Sequence, residues 1–74
     1  MINVIRKFRK DKKMSQKILA NKCKVSRQTI NAIENNKYDP SLDLAFKIAT
    51  ILNVTVDELF QFQLEENKSK EETE

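Results

Sequence analysis

The stretch MSQKILANKCKVSRQTINAIE, residues 14–34, contains two short segments with the apolar spacing of helices and only three residues between them. Ser15 and Ser26 each come directly before one of these segments, where a serine hydroxyl can accept a hydrogen bond from the unpaired amides of the first helical turn. The apolar positions that follow at helical spacing are Leu19, Ala20, Cys23, Ile30 and Ile33. The pattern therefore predicts helices at residues 16–23 and 27–35 with a tight turn between them.

Similar signals before and after this pair predict three more helices, so the expected fold class is all-α. Ser41 and Thr55 are further capping residues, and Thr55 has Glu58 three positions on, as in a capping box. With no glycine in the chain, we expect Asn36 and Asn53 to adopt the left-handed conformation at helix ends, while Lys13 and Lys24 make their turns with less help. The five predicted helices span residues 4–12, 16–23, 27–35, 42–52 and 56–60. The predicted core adds Ile5, Phe8, Leu42, Ala45, Ile48, Ala49 and Leu52.

Beyond the fifth helix, apolar and polar residues alternate, which predicts a short strand at residues 60–64. A single strand is not stable alone, and residues 1–3 are the nearest free extended segment, so we expect these two segments to pair. Residues 65–74 contain no apolar side chain, and we expect them to form a disordered acidic tail. This leaves residues 1–64 as the folded domain.

Charge is divided unevenly along the chain. Residues 1–55 hold 12 lysines and arginines against 4 acids, a net +8, whereas residues 56–74 hold 2 against 7, a net −5. A basic body suggests a polyanionic partner such as nucleic acid. An ordinary lysine-rich, solvated surface would have the same composition, so charge alone leaves both interpretations open.

Composition argues against several classes of protein. The chain has one cysteine, no histidine and no glycine, so an internal disulfide, a Cys/His zinc site, a Ser–His or Cys–His catalytic pair and a glycine-rich phosphate loop cannot form. We therefore expect no enzyme, no metal and no cofactor. Cys23 is interpreted as a small core residue rather than a redox-sensing thiol. No apolar run reaches the length of a membrane span and no secretory signal is visible, so we expect a cytoplasmic protein without a membrane partner.

The third predicted helix begins with side chains that both donate and accept hydrogen bonds. Two short helices joined by a three-residue turn form a helix-turn-helix, and in its DNA-binding version the start of the second helix enters the major groove. There Arg27 can donate two bonds to guanine, and Gln28 can pair with both edge groups of adenine. Thr29 offers a hydroxyl and a methyl group, and Asn31 lies one turn further along the same face. Gln16, at the start of the preceding helix, could anchor a phosphate through its amide nitrogens.

Residues 14–60 resemble the Cro/phage-repressor (Xre-type) DNA-binding family, in particular the minimal stand-alone dimeric repressors of Gram-positive bacteria. The resemblance rests on Ser15-Gln16, Leu19-Ala20, Val25-Ser26-Arg27, Thr29-Ile30, Ile33-Glu34, Pro40-Ser41, Ile48-Ala49, Leu52 and Glu58-Leu59. It implies a five-helix phage-repressor-like fold, operator binding as a symmetric dimer, and control of transcription. It also implies a buried ion pair between Arg9 and Glu34. The sequence departs from the family where glycine is common, at Lys13, Lys24 and Asn36.

The resemblance assigns roles to single residues. It implies that Arg27 and Gln28 read bases, that Gln16 supports them, and that the loop after the third helix lies against the DNA backbone. The expected DNA-contacting residues are Gln16, Ser26, Arg27, Gln28, Thr29, Asn31, Asn35, Lys37 and Tyr38. Their expected partner is double-stranded DNA in its major groove, with an inverted-repeat operator, and no small-molecule ligand is evident.

Assembly is predicted from an excess of apolar residues near the end of the chain. The fourth helix is apolar over more of its surface than one core-facing stripe requires. We therefore expect a homodimer whose interface includes Leu44, Ile51, Phe60, Phe62 and Leu64. The alternative is that this surface folds back onto the core of its own chain. The overall hypothesis is a dimeric repressor, and an antitoxin-like DNA-binding protein that also binds a protein partner is the alternative function.

Overall fold

A computed structural model of the chain describes residues 2–61. Its order of elements is β1 (Ile2–Asn3), α1 (Ile5–Asp11), α2 (Gln16–Cys23), α3 (Arg27–Glu34), α4 (Leu42–Leu52), α5 (Val56–Leu59) and β2 (Phe60–Gln61). All five predicted helices are present, and each end lies within one residue of the predicted position. Within residues 2–61 no helix is long and apolar enough to cross a membrane. Phe62, Leu64 and the predicted tail at residues 65–74 lie outside the described residues.

Hydroxyl side chains start four of the helices, as the sequence predicts. In each case the oxygen accepts a hydrogen bond from the backbone amide three residues on: Ser15 from Ile18, Ser26 from Thr29, Ser41 from Leu44 and Thr55 from Glu58, at 3.0–3.3 Å. Glu58 completes the capping box by accepting a 2.8 Å hydrogen bond from the Thr55 amide. The first helix starts differently, because Asn3 Oδ1 accepts a hydrogen bond from the Ile5 amide at 3.1 Å.

Four helix ends use the same left-handed turn without glycine. Lys13, Lys24, Asn36 and Asn53 have φ of 55°, 62°, 62° and 61°. At each end the next residue donates its backbone amide to the carbonyl five positions back, at 2.9–3.0 Å, which is the outer bond of a Schellman motif. Three of these next residues, Met14, Val25 and Val54, pack against the core. At the fourth end, after α3, the corresponding residue is the exposed Lys37.

The core lies between the helices and is closed by β2. Its buried members are Ile5, Leu19, Ala20, Cys23, Ile30, Ile33, Leu44, Ala45, Ile48, Ala49, Leu52, Leu59 and Phe60. Burial of Cys23 agrees with its interpretation as a core residue, and burial raises the pKa of its thiol although the charge of Lys47 lowers it. Leu42 was wrongly predicted to lie in the core. As the first residue of α4 it points outward and is 70% exposed.

Two residues assigned to the dimer interface also lie elsewhere. Leu44 and Phe60 are 8% and 9% exposed and belong to the core of the single chain. They are on the inward side of α4 and at the start of β2. Ile51 is half-buried against the same core. For Leu44 and Phe60 the alternative, that apolar surface folds back onto its own chain, is therefore the correct one.

The two short strands join the beginning of the described chain to its end. β1 and β2 are antiparallel, with Ile2 opposite Gln61 and Asn3 opposite Phe60. The backbone amide of Val4 extends this contact by donating to the Leu59 carbonyl at 2.8 Å. Asn3 also donates from its side chain to the Ile33 carbonyl at 2.8 Å, so the same segment contacts the end of α3.

Candidate nucleic-acid interface

The turn between α2 and α3 fixes how the start of α3 is presented. Lys24 turns the chain in its left-handed conformation, the Val25 amide bonds back to the Ala20 carbonyl, and Ser26 caps α3. Ile30, Ile33 and Glu34 form the buried side of α3. The opposite side, which carries Arg27, Gln28, Asn31 and Asn35, is exposed. This asymmetry puts a row of polar side chains on the outside of a firmly packed helix.

At the start of α3 two side chains have no partner among the described residues. Arg27 and Gln28 are exposed, and neither side chain has a hydrogen bond or an ion pair with any residue in the range 2–61. Thr29 is half-buried, and its hydroxyl lies 3.0 Å from the Ser26 hydroxyl, which also caps the helix. Ser26 and Thr29 are thus engaged with each other, whereas Arg27 and Gln28 are available to an outside ligand.

The loop after α3 adds further exposed side chains. Lys37 and Tyr38 are exposed, and Tyr38 retains 52% of its accessible surface. Asn35, at the end of α3, donates from Nδ2 to both the carbonyl and Oδ1 of Asn31, each at 2.9 Å. The structure therefore presents Lys37 and Tyr38 freely but holds Asn35 in a network with the helix.

A buried carboxylate ties α3 to the two preceding helices. Glu34, whose side chain is 0% exposed, accepts from Arg9 through Nε at 2.7 Å and Nη2 at 3.1 Å. Its Oε1 also accepts from Arg6 Nε at 3.3 Å and from Gln16 Nε2 at 3.1 Å. Arg9 is itself 8% exposed and donates to the Met14 carbonyl at 2.9 Å. The structure thus contains the Arg9–Glu34 pair that the resemblance implies, within a larger network.

The charge state of Glu34 follows from these contacts. Burial by itself would raise the pKa of the Glu34 carboxyl. Hydrogen bonds from Arg9, Gln16 and Arg6, together with the positive charge of Arg9, outweigh burial and hold the pKa below its ordinary value of 4.5. Glu34 is therefore an ionised carboxylate at neutral pH, and its negative charge is matched by arginines of α1.

Gln16 begins α2, as the sequence predicts, and its side-chain amide contacts two residues of α3. Its amide nitrogen donates to Glu34 Oε1 and, at 3.3 Å, to Asn31 Oδ1, so both amide hydrogens are used inside the protein. Anchoring of a phosphate by this amide stays a prediction, and it requires that a contact with DNA replaces one of these hydrogen bonds. Gln16 links the start of α2 to the middle and end of α3.

Sequence reasoning missed Arg6 as a member of this site. Arg6 Nη2 donates to Asn35 Oδ1 at 3.1 Å, in addition to its contact with Glu34. The sequence contains one indication of this role: Arg6 and Arg9 are three residues apart in α1, and residues three apart lie on one face of a helix. The apolar positions of α1 alone did not indicate that this face turns toward α3.

On the α4–α5 side, exposed apolar side chains line an open groove. Phe46 is 55% exposed and Leu42 70%. The groove beside Phe46 has a volume of about 690 Å³ and is lined by Phe46, Ala49, Thr50, Val54, Thr55, Val56, Asp57 and Phe60. We call Leu42 and these lining residues, apart from the core residues Ala49 and Phe60, the Phe46 face. A smaller hollow that Phe46 also lines includes Lys47 and Ile51.

Comparison with known proteins gives a family and several relatives. The profile of the family described as Helix-turn-helix matches residues 5–59. An uncharacterized HTH-type transcriptional regulator of Methanocaldococcus jannaschii is 47% identical over 66 residues, which cover 89% of this chain and 100% of that protein. The restriction-modification controller protein C.AhdI from Aeromonas hydrophila has a TM-score of 0.71 at 32% identity, covering 76% of this chain and 85% of its own. SinR, a master regulator for biofilm formation solved in complex with DNA, has a TM-score of 0.65 at 34% identity, covering 70% and 84%.

Proposed function

The chain belongs to the Xre-type helix-turn-helix family of DNA-binding transcriptional regulators, and from this membership we propose that it is a repressor that binds an inverted-repeat operator as a homodimer. Repression requires only that the protein occupies a site that RNA polymerase needs. The three hollows lined by Phe46 or Phe60 are mainly apolar and lie on the α4–α5 side, and we assign them to assembly rather than to sensing of a small molecule.

The observation that carries the proposal is the unpaired polar start of α3. Arg27 and Gln28 project from a helix whose opposite side is buried, and they have no partner among the described residues. The packed helix fixes where these two side chains start, and each can form two hydrogen bonds with a base edge. We assign base reading to Arg27 and Gln28, with Ser26, Thr29 and Asn31 beside them at the groove.

Contacts with the DNA backbone are assigned to the residues that follow α3. Lys37 and Tyr38 are exposed there, and Asn35 lies at the end of the helix. Contacts of this kind fix the register of a protein on the duplex and add salt-dependent affinity without reading sequence. Gln16 is assigned a supporting role, through its hydrogen bonds to Glu34 and Asn31.

For the dimer we propose the Phe46 face rather than the core residues Leu44 and Phe60. A two-fold interface uses the same patch on both subunits, so the patch must supply both a projection and a recess. Phe46 is the projection, and the adjoining groove between α4 and α5 is the recess. Ile51, Phe62 and Leu64 remain assigned to the border of this interface, and residues 1–64 to one DNA-binding and dimerisation domain.

Selection of bound sequences from a pool of random duplexes tests this function. We expect an enriched inverted repeat whose half-sites are centred about 10 base pairs apart, because the two recognition helices of a dimer enter successive major grooves on one side of the DNA. A matched selection with the Arg27→Ala, Gln28→Ala double variant should lose the enriched sequence. Enrichment of no sequence by the unmodified protein would contradict DNA reading, and enrichment of a single unrepeated site would contradict the dimer.

A further inference from the structure

The side-chain amides between α1, α2 and α3 form a chain of hydrogen bonds whose direction is fixed at one end by Arg6. A guanidinium can only donate, so its 3.1 Å contact requires the oxygen of the Asn35 amide to face Arg6. The nitrogen of Asn35 then faces the other way, toward Asn31. There it donates to the backbone carbonyl, which can only accept, and to Asn31 Oδ1. The oxygen of Asn31 is therefore turned toward Asn35.

The contact between Gln16 and Glu34, at the other end of this series of hydrogen bonds, independently requires the same orientation of the amides. The Glu34 carboxylate is ionised and can only accept, so its contact with Gln16 requires the amide nitrogen of Gln16 to face it. The second hydrogen on that nitrogen is donated to Asn31 Oδ1 at 3.3 Å. Two donors thus converge on the Asn31 oxygen, and both are fixed by groups whose role in a hydrogen bond cannot be reversed.

From this arrangement we infer that Asn31 reads guanine in the operator, through an amide that can present only donors. This inference rests on the proposed function and specifies the chemistry of one residue at that site. Asn31 is exposed on the side of α3 that carries Arg27 and Gln28, and its oxygen is occupied inside the protein. The Nδ2 group, with two hydrogens, is the part of the side chain left for an outside ligand.

A donor-only amide distinguishes bases differently from a free asparagine. A free asparagine pairs with adenine by accepting from N6 and donating to N7. With its oxygen occupied, Asn31 cannot accept from adenine N6 or from cytosine N4. Guanine presents two adjacent acceptors, N7 and O6, in the major groove, and these match the two hydrogens of Nδ2. The network therefore converts an adenine-reading side chain into a guanine-reading one.

The test compares sequence selection by the unmodified protein, Asn31→Ala and Asn31→Asp. In the unmodified protein one position of each half-site should prefer guanine by roughly 5- to 150-fold, and Asn31→Ala should remove that preference. Asn31→Asp keeps the oxygen that Gln16 and Asn35 need but turns an acceptor outward, so the preference should change to cytosine. Asn21→Ala, an exposed asparagine on α2 outside the network, is the matched control and should leave every base preference unchanged.

Direct measurement uses 7-deazaguanine at the position identified in this way, because this base lacks the N7 acceptor. The unmodified protein should bind the altered operator more weakly than the original, and Asn31→Ala should bind both equally. A preference for adenine, thymine or cytosine that depends on Asn31 in the unmodified protein would overturn the inference. If Asn31→Ala loses affinity equally for all duplexes, or binds every duplex as the unmodified protein does, the inference is also overturned, but the proposed function is not. No enriched sequence for the unmodified protein would overturn both.

The hydrogen-bond direction itself is measurable without DNA. Side-chain amide exchange in the free protein should be slower for Asn35 and Gln16 than for Asn31, because the first two donate inside the protein. Asn35→Ala removes one donor to the Asn31 oxygen and serves as the matched variant, in which the guanine preference should weaken toward equal use of guanine and adenine. Slow exchange at Asn31 together with fast exchange at Asn35 would overturn the inference even if operator binding is normal.

Discussion

At the scale of single residues, Glu34 connects the stability of the protein to the site on α3. Its carboxylate accepts hydrogen bonds from two side chains of α1 and one of α2, so three helices meet at one charge. Burying a charge is unfavourable unless it is paired and its hydrogen-bonding capacity is satisfied. The same bonds set the direction of the amides of Gln16, Asn31 and Asn35. Residues that stabilise the folded chain therefore also decide which atoms face outward.

The lowered pKa of Glu34 predicts a loss of stability in acid. Because the folded pKa lies below the ordinary 4.5, the unfolded chain binds the proton first, and the stabilisation is present above that value and is lost as pH falls through the folded pKa. We expect Glu34→Gln to lower the free energy of unfolding by about 3–5 kcal/mol at pH 7, since Arg9 stays buried without its partner. Urea unfolding at several pH values measures this. The difference between the two proteins should shrink as the pH falls below 4.5 and through the lowered pKa of Glu34, and a constant difference would contradict the lowered pKa.

Removal of a base-reading side chain and removal of a side chain that contacts the DNA backbone should affect DNA binding differently. Arg27→Ala or Gln28→Ala should each weaken operator binding by about 1–3 kcal/mol per half-site and relax the preference at particular base pairs. On unrelated DNA, Gln28→Ala should have the smaller effect, because only arginine also contributes charge. Lys37→Ala should weaken all duplexes alike and reduce the slope of log affinity against log salt by about one. Titrations on operator and random duplexes across a salt series test these expectations. If Gln28→Ala retains the base preference while Lys37→Ala changes it, the assigned face of α3 is wrong.

At the scale of elements, two of the left-handed turns at helix ends have strained backbones because the residue with positive φ is a lysine. Lys13 and Lys24 are held at φ of 55° and 62°, a region in which a side chain with a Cβ atom crowds its own backbone. The Schellman bonds and the packing of Met14 and Val25 hold these turns in place. Asparagine at the other two ends tolerates this conformation better than lysine. The two lysine turns are thus the places where the fold is least relaxed.

Replacing Lys24 by glycine should therefore stabilise the protein. The relief of crowding, about 1–2 kcal/mol, exceeds the extra entropy of a glycine in the unfolded chain, about 0.4–1 kcal/mol, so we expect a net gain of about 0.5–1 kcal/mol. Lys22→Gly is the matched control, because it removes the same charge from an exposed position inside α2. It should instead destabilise by about 1 kcal/mol. Urea midpoints measure both, and destabilisation of similar size in the two variants would show that the turn at Lys24 is not strained.

At the scale of the whole molecule, the sequence correctly predicted the features that depend on neighbouring residues, namely the helix starts and the buried side of α3. Serine and threonine caps placed the helix starts, and α3 has only two isoleucines, so its buried side was unambiguous. The fourth helix gave no such answer, because it is apolar on nearly all sides. Its periodicity could not show that Leu42 faces outward and Leu44 inward. The amide network escaped prediction for another reason, since it depends on how three helices meet in space.

Exposure of Phe46 leads to the prediction for assembly. Phe46 is 55% exposed in the single chain, so Phe46→Asp should leave folding nearly unchanged. In a two-fold interface the new charge would lie near its symmetry mate and would lack a partner, so the dimer should dissociate at micromolar concentration. Sedimentation measures this, with Ile18→Asp as the matched control, because Ile18 is a 46% exposed apolar residue on α2, away from the Phe46 face.

Binding to DNA gives a second readout of the same variant. The unmodified dimer should bind an inverted repeat far more tightly than an isolated half-site, because the second half binds at a high effective concentration once the first is in place. Phe46→Asp should bind each half of the repeat independently, with the affinity that it has for the isolated half-site, whereas Ile18→Asp should keep the difference between the two sites. If Phe46→Asp still sediments as a dimer and still prefers the repeat, the two subunits meet through another surface.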